Sequence, residues 1–151
     1  MAKVLIVDDT KVIREVVSRL LIKEGHEVRP VENGKKGIEA FRKEAFDLVL
    51  TDVVMPDMSG LDVLAAIRHV NKEIPVIVMS ATFNPANFRE TSNTAFVSKT
   101  GGINRLMDTI RIYLPPAHRH EPVPARGPSA HGLSFRSIVG KIKEVAGQST
   151  L

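Results

Sequence analysis

Short apolar runs separated by polar, turn-forming stretches pattern most of the chain. Val4-Leu-Ile-Val7, Leu48-Val-Leu50, Val76-Ile-Val-Met79 and Ala95-Phe-Val97 are too short for helices. Unbroken apolarity of that length reads as strands buried on both faces of a parallel sheet. A fifth, weaker strand spans His26 to Val31, with Val28 its clearest inward position. Helical spacing fills the intervals. Val12, Ile13, Val16, Val17, Leu20 and Leu21 follow Thr10, a plausible N-cap, and Gly25 stops that helix. Asn33-Gly34 marks a turn before Ile38, Ala40 and Phe41, on a helix ending near Glu44. Leu61, Leu64, Ala65 and Ile67 follow Gly60. Ile103, Leu106, Met107, Ile110 and Tyr113 define a last helix, ended by Pro115-Pro116. Residues 82–93 are rich in asparagine and predict only a short helix, from Pro85 to about Glu90. Five strands alternating with five helices predict an α/β fold with a doubly wound, five-stranded parallel sheet.

The strands end on chemistry. The first runs into Asp8-Asp9, the central one into Asp52, the next into Ser80, and Thr94–Ser98 into Lys99. In open α/β sheets the carboxyl ends of the strands form the ligand-binding rim. Two acidic strand ends side by side crowd three carboxylates into one crevice, where like charges raise one another's pKa and oppose folding. A hard cation with oxygen ligands relieves this, and Mg2+ commonly takes carboxylates together with phosphate oxygens. Carboxylates, a hydroxyl and an ammonium at neighbouring strand ends suit a metal and a phosphoryl group.

The ordered set Asp8-Asp9, Asp52 with Met55-Pro56 and Gly60 after it, Ser80-Ala81, and Phe96 three residues before Lys99 resembles the receiver domain of two-component response regulators over roughly residues 2–114. The resemblance implies the flavodoxin-like strand order 2-1-3-4-5. It implies that Asp52 accepts a phosphoryl group from a histidine kinase or a histidine phosphotransfer protein. Asp9, Asp52 and the backbone carbonyl of Val54 would hold Mg2+, with Asp8 acting mainly through water. Ser80 and Lys99 would meet the phosphoryl oxygens. Phe96 would be either a rotamer switch or simply core. The protein would assist its own phosphorylation and dephosphorylation without being an enzyme in the ordinary sense, and would signal by protein contact to a downstream target. The chain departs from the family at Thr100, where a proline is usual. A non-proline peptide there is expected to be trans, and both the aim of Lys99 and the lead into the last helix are open to change. Two other readings compete. One is a pseudo-receiver, a constitutive interaction module that is never phosphorylated. The other is an aspartyl phosphohydrolase, which wants a second aspartate where this chain has Val54.

Composition narrows the field. There is no cysteine among the 151 residues, which excludes disulfide scaffolds, thiolate metal sites and cysteine nucleophiles. No stretch has the apolar length of a membrane span, and a cytoplasmic location is expected. The net charge is +4, of which +3 falls in residues 115–151, so the basic balance does not mark the main domain as a nucleic-acid binder. The expected organisation is a receiver domain at 1–114, a linker at 115–132 holding five of the nine prolines, and an amphipathic helical segment at 133–151. In that segment Phe135, Ile138, Val139, Ile142, Val145 and Ala146 share one helical face. It is too short to stand alone in water and should dock on its own domain, a second copy or a partner. Nucleic-acid contact through Arg136, Lys141 and Lys143 is the weakest reading of it.

Overall fold

A computed structural model describes residues 1–82 and 93–114. The expected short helix at 85–90, the linker and the C-terminal segment lie outside the described residues. Five strands, β1 (Lys3–Val7), β2 (Glu27–Val31), β3 (Leu48–Asp52), β4 (Val76–Ser80) and β5 (Thr94–Ser98), form one parallel sheet in the order β2-β1-β3-β4-β5. Four α-helices are described: α1 (Lys11–Lys23), α2 (Gly34–Lys43), α3 (Gly60–Val70) and α4 (Ile103–Tyr113). One turn of 3-10 helix, Lys99–Gly101, links β5 to α4. Among the described residues no helix is long and apolar enough to cross a membrane.

The apolar runs are explained by burial on both faces. Side chains alternate across a strand. Val4 and Ile6, Leu48 and Leu50, Ile77 and Met79, and Ala95 and Val97 pack with α1 and α4 through Ile13, Val17, Leu21, Leu106 and Ile110. Leu5 and Val7, Val49, Val76 and Val78, and Phe96 face the other way, against Ala40, Val63 and Ile67 of α2 and α3. The edge strand β2 is covered less, with Val28 and Val31 only half-buried, and Pro30 is tolerated there because an edge leaves N–H groups unused.

Polar side chains then fix where the helices start and stop. Ser59 and Asp62 form a reciprocal capping box at the start of α3. Asn33 caps α2 by accepting from the Lys36 N–H at 2.8 Å. Asp57, from the loop after β3, accepts from the Gly34 and Lys35 N–H groups at 3.3 and 3.0 Å, and these bonds hold its carboxyl below the usual range. Thr10 occupies the N-cap position of α1 but its side chain makes no cap bond. Its N–H instead donates to Asp8 Oδ1 at 2.9 Å, so the turn is closed by the aspartate. Arg68, near the end of α3, donates to the carbonyls of Ile74 (2.6 Å) and Asn93 (2.9 Å) and to Thr94 Oγ1 (2.8 Å). One guanidinium thereby ties α3 to the starts of β4 and β5.

Gly60 sits where the chain leaves β3 and doubles back. A Cβ there would lie 1.9 Å from the Asp52 carbonyl oxygen and 3.0 Å from Val53 Cα. These neighbours are backbone atoms and cannot step aside. Gly60→Ala is therefore expected to displace the β3–α3 loop and lower stability by about 1–3 kcal/mol, the usual range for overpacking. Urea melts of the two proteins check this, and equal midpoints would show that the loop relaxes freely.

Candidate functional site

The carboxyl ends of β1, β3, β4 and β5 bring the sequence-predicted groups to one rim. Asp8 follows β1 directly and is fully buried, Asp52 closes β3 and is nearly so, and Asp9 is exposed at the mouth. One carboxylate oxygen from each of the three lies within 4.8 Å of the others. Lys99, one residue beyond β5, donates to Asp8 Oδ2 at 2.9 Å and lies 3.0 Å from Asp52 Oδ2. Its ammonium bridges two carboxylates from two different strands. The Lys99 side chain is 10% exposed, and those of Asp8 and Asp52 are 0% and 8% exposed. With Thr100 following it, Lys99 still points at the two carboxylates, and the described residues contain no cis peptide bond. The lead into the last helix runs through the 3-10 turn and through Gly102 at φ +91°.

Electrostatics at the rim are adverse without a further cation. Burial, and then the neighbouring charge of Asp8, push Asp52 up from 3.8 to about 6, against the opposing pull of Lys99. Burial likewise raises Asp8, and Lys99 again opposes it. One ammonium leaves three clustered carboxylates undercompensated. Their all-oxygen donor set, two buried and one open to solvent, fits a hard divalent cation such as Mg2+.

The remaining candidates divide. Ser80 ends β4 beside Ser98 of β5 in the sheet register, is buried, and accepts from the Thr82 N–H at 3.2 Å. Val54 lies in the loop just beyond Asp52 and is 63% exposed. Phe96 pairs in register with Val78 and is buried in the α2–α3 side of the core, one strand position away from the face of Val97. It belongs to the core in this structure and points away from the α1–α4 side.

Two contacts at the rim have no signal in the apolar pattern. Arg14, one turn into α1, donates to the Asp8 backbone carbonyl at 2.7 Å and braces the acidic turn. Thr51 is buried inside β3 and donates its hydroxyl to the Asp52 carbonyl at 3.1 Å. A threonine inside an otherwise apolar strand was the only hint of the second.

Known proteins are similar to this chain in sequence and in fold. A sequence model described as the response regulator receiver domain matches residues 4–111. Sporulation initiation phosphotransferase F of Bacillus subtilis is 31% identical over 116 residues, covering 75% of this chain and 94% of that protein. The probable transcriptional regulatory protein TcrX of Mycobacterium tuberculosis is 44% identical over 78 residues, 52% of this chain, and the matched stretch spans only 33% of its length. The response regulator protein TrrA of Thermotoga maritima, solved in complex with Mg2+-BeF, superposes with a TM-score of 0.68 at 30% identity, over 76% of this chain and 100% of TrrA. TrrA is also similar in its complex with the histidine kinase ThkA, with a TM-score of 0.66 and the same 76% and 100% coverage.

Proposed function

The chain belongs to the response regulator receiver domain family of two-component systems, and from that membership we propose that it is a phosphorylatable receiver whose acceptor is Asp52. The observation that carries the reading is Asp52 itself: a nearly buried carboxylate at a strand end, ion-paired to Lys99 and clustered with Asp8 and Asp9. The donor is a phosphohistidine on a histidine kinase or a histidine phosphotransfer protein, in keeping with the kinase complex formed by the similar TrrA. An Asp52 carboxylate oxygen attacks phosphorus, the phosphorus–nitrogen bond breaks, and its electron pair leaves with the imidazole, which takes up a proton. With its pKa at about 6, Asp52 remains largely ionised at neutral pH and is competent as the nucleophile.

Lys99 pairs with a phosphoryl oxygen once Asp52 carries the group, a reading supported by its contact with Asp52. Ser80, at the neighbouring strand end, supplies a hydroxyl donor. Asp9, Asp52 and the Val54 carbonyl would hold Mg2+, with Asp8 in support. When bound, the cation offsets negative charge on the phosphoryl oxygens. The output is a change in contact with a downstream protein.

Exposure to a small acyl phosphate with Mg2+ is expected to add the mass of one phosphoryl group to the protein, and none to Asp52→Asn. Intact-mass measurement decides it. The pseudo-receiver reading predicts no mass gain even where Mg2+ binds. Mg2+ binding is read separately: it is expected to raise the melting temperature by mass action, and Asp9→Ala should abolish that rise. An unchanged midpoint at saturating Mg2+ overturns the metal assignment.

A further inference from the structure

We propose that Ser98 is the positioning residue that aims Lys99 at the two buried carboxylates. Lys99 grows from a single turn of 3-10 helix, a short element with poorer hydrogen-bond geometry than an α-helix. Gly101 and Gly102 follow, and Gly102 takes φ +91°, so the chain beyond Lys99 adds little conformational restraint. A four-carbon side chain on such a base has many ways to miss. Yet its Nζ meets Asp8 of one strand end at 2.9 Å and Asp52 of another at 3.0 Å.

The restraint comes from the residue before it. Ser98 is the last residue of β5, fixed in the sheet by its register with Ser80. Its Oγ accepts from the Thr100 N–H at 3.2 Å, capping the turn. The same oxygen lies 2.6 Å from Thr100 Oγ1, so one hydroxyl donates to the other. The two hydroxyls therefore clasp the backbone on either side of Lys99, in a turn with no ring to stiffen it. Ser98 itself touches neither carboxylate; it acts through Lys99. The inference rests on the receiver reading only for its catalytic consequence, and the placement of the ammonium can be measured without it.

The test compares Ser98→Ala, Ser98→Thr and Thr100→Val with the unaltered protein in two assays. The first is the rate at which acetyl N-hydroxysuccinimide acylates Lys99, followed by peptide mass. Lys99 is ion-paired and nearly buried, so acylation is slow. Ser98→Ala loses both clasp hydrogen bonds and should raise the rate at least about fivefold, the factor expected for one neutral hydrogen bond. Ser98→Thr, which keeps the hydroxyl, should restore the slow rate. The second assay is phosphorylation by the acyl phosphate, which should slow in Ser98→Ala by a similar factor with its dependence on donor concentration unchanged. Thr100→Val removes one hydroxyl and leaves the β5 terminus intact, so it decides the matter if Ser98→Ala fails to fold, and it too should speed acylation. Unaltered acylation in whichever of Ser98→Ala and Thr100→Val folds overturns the proposal, as does a Ser98→Thr protein that behaves like Ser98→Ala. Faster acylation in a protein that never accepts a phosphoryl group would uphold the clasp and overturn the receiver reading instead.

Discussion

Replacing Lys99 by methionine is expected to destabilise the metal-free protein at neutral pH by about 3–5 kcal/mol, the range found when one partner of a buried ion pair is removed. Methionine keeps the length and apolar character of the stem, so the loss isolates the ammonium. Asp8 and Asp52 would then face each other without a counter-charge, both more than nine-tenths buried by side-chain exposure. Their pKa values are already raised with Lys99 present, and removing the opposing cation drives them higher. Acidification should therefore recover more stability in Lys99→Met than in the unaltered protein. Mg2+ should also narrow the gap between the two. Chelated urea melts at neutral and mildly acidic pH provide the measurement. A loss below about 1 kcal/mol, the level of an exposed pair, would show that water reaches the rim more freely than the burial implies.

The rim was legible in the sequence because each of its groups ends a strand, and the strands advertised themselves. β1, β3, β4 and most of β5 are buried on both faces, so their apolar runs are unbroken and the polar residue that ends each one stands out. β2 was harder to bound because an edge strand with exposed Glu27, Arg29 and Pro30 has little apolar signal, and the structure begins it at Glu27 rather than His26. Helix positions followed from spacing, and the proline pair after Leu114 marked the end of α4. What the sequence did not reveal are contacts made by long or polar side chains across elements: Arg14 to Asp8, Asp57 to the start of α2, Arg68 to two strands, and the Ser98–Thr100 clasp. None has a period, and each depends on where the sheet places two distant backbones. Thr100 was visible as a departure from the family, but its physical consequence was not. A sequence can say that a stiff residue is missing, whereas only the geometry shows a neighbouring hydroxyl holding the turn.

Substituting Asp52 by asparagine should stabilise the metal-free protein at neutral pH, and the gain should fade on acidification. The sign follows from the direction of the shift. Asp52 titrates at about 6 in the folded protein against 3.8 for an ordinary aspartate. Between these values the folded state binds more protons than the unfolded one, so stability falls as pH rises through the window. The penalty is complete above pH 6. A displacement of this size corresponds to up to about 3 kcal/mol. Asparagine carries no charge and escapes it. The unaltered protein and Asp52→Asn should therefore differ most at pH 7.5 and converge toward pH 4.5. Asp8 is also raised and its charge couples to Asp52, so its titration adds to the difference with the same sign, whereas groups away from the rim cancel in the comparison. Burial lowers His26, so its protonation destabilises the fold as pH falls, equally in both proteins. Glu32, Glu39 and Glu44 are held below their usual range by lysine partners and stay ionised through most of the window. Chelation is essential, because a bound divalent cation would favour the ionised carboxylate and reverse the order of the two proteins. If Asp52→Asn is the less stable protein in chelator at pH 7.5, the Lys99 pair outweighs the burial of Asp52, and the rim is stable without a metal.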